Sequence, residues 1–335
     1  MSKKFMALIL VLALAMGCLT GCGKDEGKQA DGTGEEKYKV AIVTKMQDMY
    51  GALLSTVFQE EATRHPNITI DAFDYENDEG KFLTIMENVT EAGYDLVVSQ
   101  SPKMDARNAI KNLQDAGGIF YHIAGSGYEY MYEEELARCL VCNEYEMGKV
   151  VAEQAAEDLP QNAKIVILLG LAGKQNTIDR NQGFLDVLKE KRPDIEVLDS
   201  QHADWNKDIA MKKMDDWQQA FDHIDGVLAS NDAMASGAVE SLLTAGFSDW
   251  DNMYIYGIDA LTDACTYIQK GQMRASALQD ATRFASQVLK EFDEFKAGTS
   301  DVINEHVLVK FDPHVINKDN VDEQMQYYKD FGLLK

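Results

Sequence analysis

The chain has too little positive charge to meet a nucleic acid. It sets 32 Lys and Arg against 56 Asp and Glu, a formal net charge of −24 at pH 7. A phosphate backbone calls for a basic surface, so a nucleic-acid partner is excluded. The signatures of catalysis are missing as well. There is no Gly-x-Ser-x-Gly elbow, no phosphate loop ending in Gly-Lys-Ser/Thr and no His-Glu-x-x-His. Gly125-Ser126-Gly127 lacks the third glycine of a dinucleotide fingerprint. The six histidines are scattered without metal-ligand spacing. These absences point away from an enzyme, a bound metal and a cofactor.

Cysteine is scarce. Of five, Cys18 and Cys22 fall near the N-terminus, leaving Cys139, Cys142 and Cys265. An odd number argues against a disulfide framework. Cys139-Leu140-Val141-Cys142 has the spacing of redox and zinc sites, but no second pair of zinc ligands is in view. In an extended run an odd separation also turns the two thiols to opposite faces. Buried free thiols are the expectation.

The N-terminus does hold a pattern. Lys3 and Lys4 precede an apolar run at residues 5–16 that is too short to span a bilayer with stable flanks. Small residues and a cysteine follow, the layout of a secretory signal. Leu19-Thr20-Gly21-Cys22 resembles a bacterial lipobox, so residues 1–22 are expected to be a lipoprotein signal with Cys22 acylated. Residues 23–37 are polar and read as a flexible tether. Fifteen such residues reach roughly 20 Å.

From residue 38 the chain alternates strand and helix. Strands are expected at 39–44, 68–73, 94–99 and 118–123, with a helix opened by Ser101-Pro102. A polar, tyrosine-rich break covers 124–137. The alternation resumes with strands at 138–143, 164–169, 196–200, 226–229, 254–258 and 274–278. Alternation predicts parallel sheets flanked by helices, and the restart predicts two α/β lobes, each a doubly wound open sheet. Within the second series, the apolar run Val227-Leu228-Ala229 ends in a polar pair. Met234, Ala238 and Leu242 then share one helix face. Asp232 sits where an N-cap belongs and Gly246 where a C′ residue belongs. Asn231 lies at the strand's carboxyl end, the edge of an open sheet where ligands bind.

Four segments carry a resemblance. They are Trp205, Lys213-Met214-Asp215-Asp216-Trp217, Ser230-Asn231-Asp232-Ala233-Met234-Ala235, and Gly257-Ile258-Asp259-Ala260-Leu261. Together they resemble the type I periplasmic sugar-binding proteins of ABC importers, their galactose/glucose-binding branch in particular. The resemblance extends thinly from Lys39 to near Asn320. It implies a three-crossing hinge near 141–144, 279 and 310–311. The N-terminal lobe would be 38–142 plus 280–310 and the C-terminal lobe 143–279 plus 311–335. It implies a monomer whose ligand is a monosaccharide (galactose, glucose or a methyl galactoside) and whose partner is an ABC permease. A sugar sensor facing a membrane receptor, or a binding protein for a pentose, is the alternative.

Site residues follow from the same resemblance. Asp48 and Asp259 would take sugar hydroxyls, Tyr50 and Trp205 would stack, and Arg180 would donate to ring-side oxygens. Asn231 and the hinge residue Gln279 would join them. His122 stands for an asparagine, Lys174 for a histidine and Asn176 for an acid. From the residues alone, Asp48 is a solvated loop acid, Tyr50 a helix-entry packing residue and His122 as much a core residue as a ligand. The family's calcium loop has no counterpart in Asp158-Leu159-Pro160-Gln161-Asn162, so no calcium is expected. Trp217 falls on the inward stripe Ala210, Met214, Trp217 and Phe221 and is expected in the core.

Overall fold

In the computed structural model, residues 36–100, 105–125 and 128–334 are described. Those from Lys37 onward form one compact unit. The lipobox and Cys22, most of the tether, Ser101-Pro102 and Ser126-Gly127 lie outside the described residues.

Two sheets organise the chain. The first has the order β11-β5-β4-β3-β1-β2. Its strands are β1 (Tyr38–Thr44), β2 (Ile68–Asp74), β3 (Leu96–Gln100), β4 (Ile119–Ile123), β5 (Arg138–Cys142) and β11 (Leu308–Phe311). All its pairings are parallel. The second has the order β12-β10-β9-β8-β6-β7. It comprises β6 (Lys164–Leu169), β7 (Glu196–His202), β8 (Gly226–Ala229), β9 (Tyr254–Asp259), β10 (Ala275–Leu278) and β12 (Val315–Asn317). Only β12 runs antiparallel. The two-lobed α/β expectation therefore holds.

The helices are α1 (Met49–Ala62), α2 (Glu79–Glu91), α3 (Arg107–Asp115), α4 (Glu129–Glu133), α5 (Glu144–Asp158) and α6 (Gln175–Lys191). After them come α7 (Lys207–Ala220), α8 (Asp232–Thr244), α9 (Thr262–Gln269), α10 (Ala281–Lys296) and α11 (Val321–Phe331). Central strands are covered on both faces. Val40, Ala41, Ile42 and Val43 of β1 are all fully buried, which is why they read as an unbroken apolar run rather than an alternation.

The chain passes between the sheets three times. It leaves the first after β5 and enters the second through α5 and β6. It returns after β10, where α10 packs on α1 and β11 pairs with β5. It crosses again between Phe311 and Val315 to add β12 beside β10. In each sheet the order reverses, between β1 and β3 and between β6 and β8, and such switch points open a crevice at the strands' carboxyl ends.

Local details differ from expectation in informative ways. Asp232 is not the cap of α8. Asn231 is, its side-chain oxygen accepting from the Met234 amide at 3.0 Å. The capping pattern was legible, but two adjacent cap-capable residues hid which one does it. The break at 124–137 contains the short helix α4. The strands β11 and β12 and the helix α11 carry weak patterns, since β12 has three residues and α11 buries only Val321, Tyr328 and Phe331. The three described cysteines are buried, and no disulfide forms among the described residues.

Trp217 is 2% exposed, and its indole N–H donates to the Asp199 carboxylate at 2.8 Å. Trp217→Ala should therefore cost about 3–5 kcal/mol of stability, read by urea unfolding, as core aromatic truncations do.

Candidate ligand-binding site

The carboxyl ends of the two sheets face a cavity of about 70 Å³, beside a second of about 270 Å³ with which it shares Lys45, Asp48 and Trp205. The first lobe supplies Lys45, Asp48 and Tyr50 after β1, Gln100 at the end of β3 and Gly125 after β4. The second supplies Asn176 and Arg180 from α6, Trp205 after β7, Asn231 after β8, Asp259 at the end of β9 and Gln279 after β10.

Arg180 is the hub of this cavity. It is buried in the second lobe. Its Nε donates to Glu144 at 2.6 Å, Nη1 to the Ser230 carbonyl at 2.7 Å and Nη2 to the Gln279 side-chain oxygen at 2.9 Å. Asp259 lies 3.8 Å from Nη1. Glu144 opens the segment after the first crossing and Gln279 sits on the second. One guanidinium thus holds two of the three crossings and faces the cavity. From the first lobe, the Tyr50 hydroxyl donates to the Gln279 backbone carbonyl at 3.1 Å.

Asp259 owes its position to a shaped loop. It has φ 120°, and Ala260 has φ 54°, both unusual for residues with a side chain. Three buried groups hold this turn. The Asp232 carboxylate accepts from the Leu261 amide at 2.7 Å and from Ser276 Oγ at 2.6 Å. Ser276 Oγ accepts in turn from the Ala260 amide at 2.9 Å, and the Tyr328 hydroxyl donates to the Ala260 carbonyl at 2.8 Å. Gly257 makes room for this clamp, because a Cβ there would fall 2.0 Å from Asp232 Oδ1. Burial pushes the Asp232 carboxyl up to about 7. Burial also raises Asp259 well above the carboxylate range, partly offset by Arg180.

Trp205 forms one wall. Its indole lies on the backbone of Gly170, where a Cβ would meet ring carbons at 2.0–2.4 Å. The Arg180 guanidinium carbon is 5.5 Å from the ring centroid, in cation–π range. Asp48 caps α1, accepting from the Gly51 amide at 2.6 Å, and pairs with Lys45 at 2.7 Å. Its cap and its place on the cavity wall coexist. Tyr50 is both helix-entry packing and wall. Asn176 reaches the cavity while its side-chain oxygen accepts from the Thr177 amide at 3.0 Å.

Two expected residues are not on the inner wall. His122 is fully buried, its ring tilted against Tyr128 at 5.5 Å, and burial holds its imidazole far below the usual range, at about 3. In the sheet it pairs in register with Ser99, one residue before Gln100. Lys174 stands half-buried before α6, outside the inner lining. Lys45, Gln100, Gly125 and Glu144 were not singled out from sequence. Gln100 closes a strand just as Asn231 does, a signal that was available. Glu144 had none, since nothing in a helix's first turn marks it as an arginine's partner. Among the described residues no group of three or more His, Cys, Asp or Glu is placed to hold a metal.

The fold and cleft can now be set beside known proteins. A family model described as the periplasmic binding protein domain matches residues 40–298. The chain belongs to this periplasmic binding protein family. Its relatives include the putative rhizopine-binding protein of Rhizobium meliloti, 28% identical over 72% of this chain and 78% of that one. Another is the ribose import binding protein of Bacillus subtilis, 23% identical over 88% of this chain and 94% of that one. Among solved structures, an ABC transporter periplasmic solute binding protein from Actinobacillus succinogenes with bound D-allose superposes with TM-score 0.76 at 20% identity. The match covers 86% of this chain and all of that one. At that identity the likeness shows the fold alone. The relatives named here are solute-binding proteins.

The Asp232 clamp makes a pH prediction. An unfolded aspartate titrates near 3.9, whereas Asp232 titrates at about 7 in the fold. Between these values the folded state binds the more protons, so this group's contribution to stability falls as pH rises through the window. The thermal midpoint of Asp232→Asn, followed from pH 4 to 8, should decline less steeply than that of the wild type.

Proposed function

We propose that the protein is a lipid-anchored extracytoplasmic solute-binding protein that captures a monosaccharide between its lobes and delivers it to an ABC permease. The observation that carries this reading is the makeup of the cavity. A flat indole, a guanidinium, two carboxylates and four amides converge on it from both lobes. A sugar ring offers apolar faces for the first and hydroxyls for the rest. Contact with both lobes favours the closed arrangement, so binding and closure are linked. The anchor rests on Cys22 and the lipobox-like run before it.

Galactose and glucose are the first ligands to test, because Asp48, Trp205 and Asp259 keep the positions the resemblance assigns to hexose recognition. A pentose is the second reading, favoured by the relative named for ribose import, which aligns over 94% of its length. Lys174 stands off the inner wall, and Asn176 offers a neutral amide where the family has an acid. These two departures lie in one corner. They support a ligand whose anomeric oxygen is loosely held, such as a methyl glycoside.

Calorimetric titration of the unlipidated protein against hexoses, pentoses and their methyl glycosides tests the reading. Trp205→Ala should weaken the best ligand by roughly 1.5–3 kcal/mol, the value of an aromatic surface covered on binding, with little change in unfolding midpoint. Equal affinity in the variant would remove Trp205 from the site. For the anchor, metabolic labelling with a fatty acid should mark the wild type in the membrane fraction and leave Cys22→Ser unlabelled.

A further inference from the structure

The charges at the cavity do not balance. Among the described residues, Asp48 and Asp259 line it, with Glu144 and Asp232 directly behind. Against these four carboxylates stand Lys45 and Arg180. Lys45 is committed to Asp48 at 2.7 Å. Arg180 is committed to Glu144 at 2.6 Å, and its other bonds go to the neutral oxygens of Ser230 and Gln279. Asp232 has two donors in Leu261 and Ser276. Asp259 has none. Its side chain is 3% exposed, no described group donates to it, and the nearest cation is 3.8 Å away. The shaped loop nevertheless holds it on the cavity wall.

A buried carboxylate that accepts no hydrogen bond and has its nearest counter-ion, Arg180, 3.8 Å away is incompletely satisfied, and a group that enters the cavity can relieve it. A hydroxyl brings one donor and no charge. An ammonium brings three donors and a full positive charge, and charge-assisted hydrogen bonds are the stronger ones. The Trp205 face lines the same cavity and attracts cations. We propose that the cleft takes a polyhydroxylated ligand bearing a protonated amine, an amino sugar or amino polyol, with the ammonium seated against Asp259. The inference rests on reading this cavity as the ligand cleft and narrows the ligand's class. Burial first, and then the carboxylates of Asp232, Asp48 and Glu144, raise the Asp259 carboxyl, with Arg180 opposing them.

The test is calorimetry with matched pairs: D-galactosamine and D-galactose, D-glucosamine and D-glucose, D-mannosamine and D-mannose. N-acetyl-D-glucosamine serves as a neutral control that keeps the substituent's position. At least one amine should bind about tenfold tighter than its parent sugar, the difference between a charge-assisted and a neutral hydrogen bond. Acetylation should abolish the advantage. Asp259→Asn should bring amine and parent to equal affinity, while its thermal midpoint stays at or above that of the wild type. Parents that bind as tightly as their amines, or an advantage that survives Asp259→Asn, overturn the proposal and leave the cleft reading in place. A panel in which neither kind binds counts against both.

Discussion

The site depends on one buried guanidinium. Arg180 satisfies an acid that follows the first crossing, an amide on the second and the carbonyl of Ser230 at the end of β8. Each of those groups would otherwise be a buried polar group without a partner, which is costly in a low-dielectric interior. The arrangement is therefore mutually enforcing. The crossings place Arg180's partners, and Arg180 fixes how the crossings meet. Removing the guanidinium would leave Glu144 as an uncompensated buried charge, so the pair is far more than a surface ion pair in consequence.

The cavity is also built from exceptions to ordinary backbone geometry. Asp204, Trp205, Asp259 and Ala260 all have positive φ. Such conformations cost on the order of 1–3 kcal/mol each and persist where surrounding structure over-determines them. Here the determinants can be named. The Trp205 ring presses on a glycine, and the Asp259 turn is held by Asp232, Ser276 and Tyr328. Two walls of the cavity are thus set before a ligand arrives, which lowers the ordering cost of binding.

Much of this was legible in the sequence, for physical reasons. Buried parallel strands leave continuous apolar runs, so β1, β6 and β8 could be located from Val, Ile and Leu alone. Asn231 was legible through topology, as a residue at a strand's carboxyl end, whereas Asp259 and Trp205 came from the resemblance. What was hidden depends on contacts between distant segments. Glu144 and Arg180 meet across 36 residues, and Tyr50 and Gln279 across 229, with no local pattern to announce either. His122, left open between core residue and ligand, is buried and off the cavity lining. A strand-end position does not say whether a side chain turns toward the cavity or under it, and here Tyr128 covers the ring. Asp232 was misread because its role lies in the next loop rather than in its own helix.

The hydroxyl of Tyr328 has a consequence for the order in which the molecule becomes competent. It lies on α11, the last helix in chain order, yet it holds the Ala260 carbonyl beside Asp259. A chain emerging from its N-terminus can complete β1 to β5 early, since those strands pair with near neighbours in sequence. Its Ala260 turn waits for Tyr328, 68 residues further along the chain. Until Tyr328 is in place, the turn that carries Asp259 lacks one of the three groups that hold it.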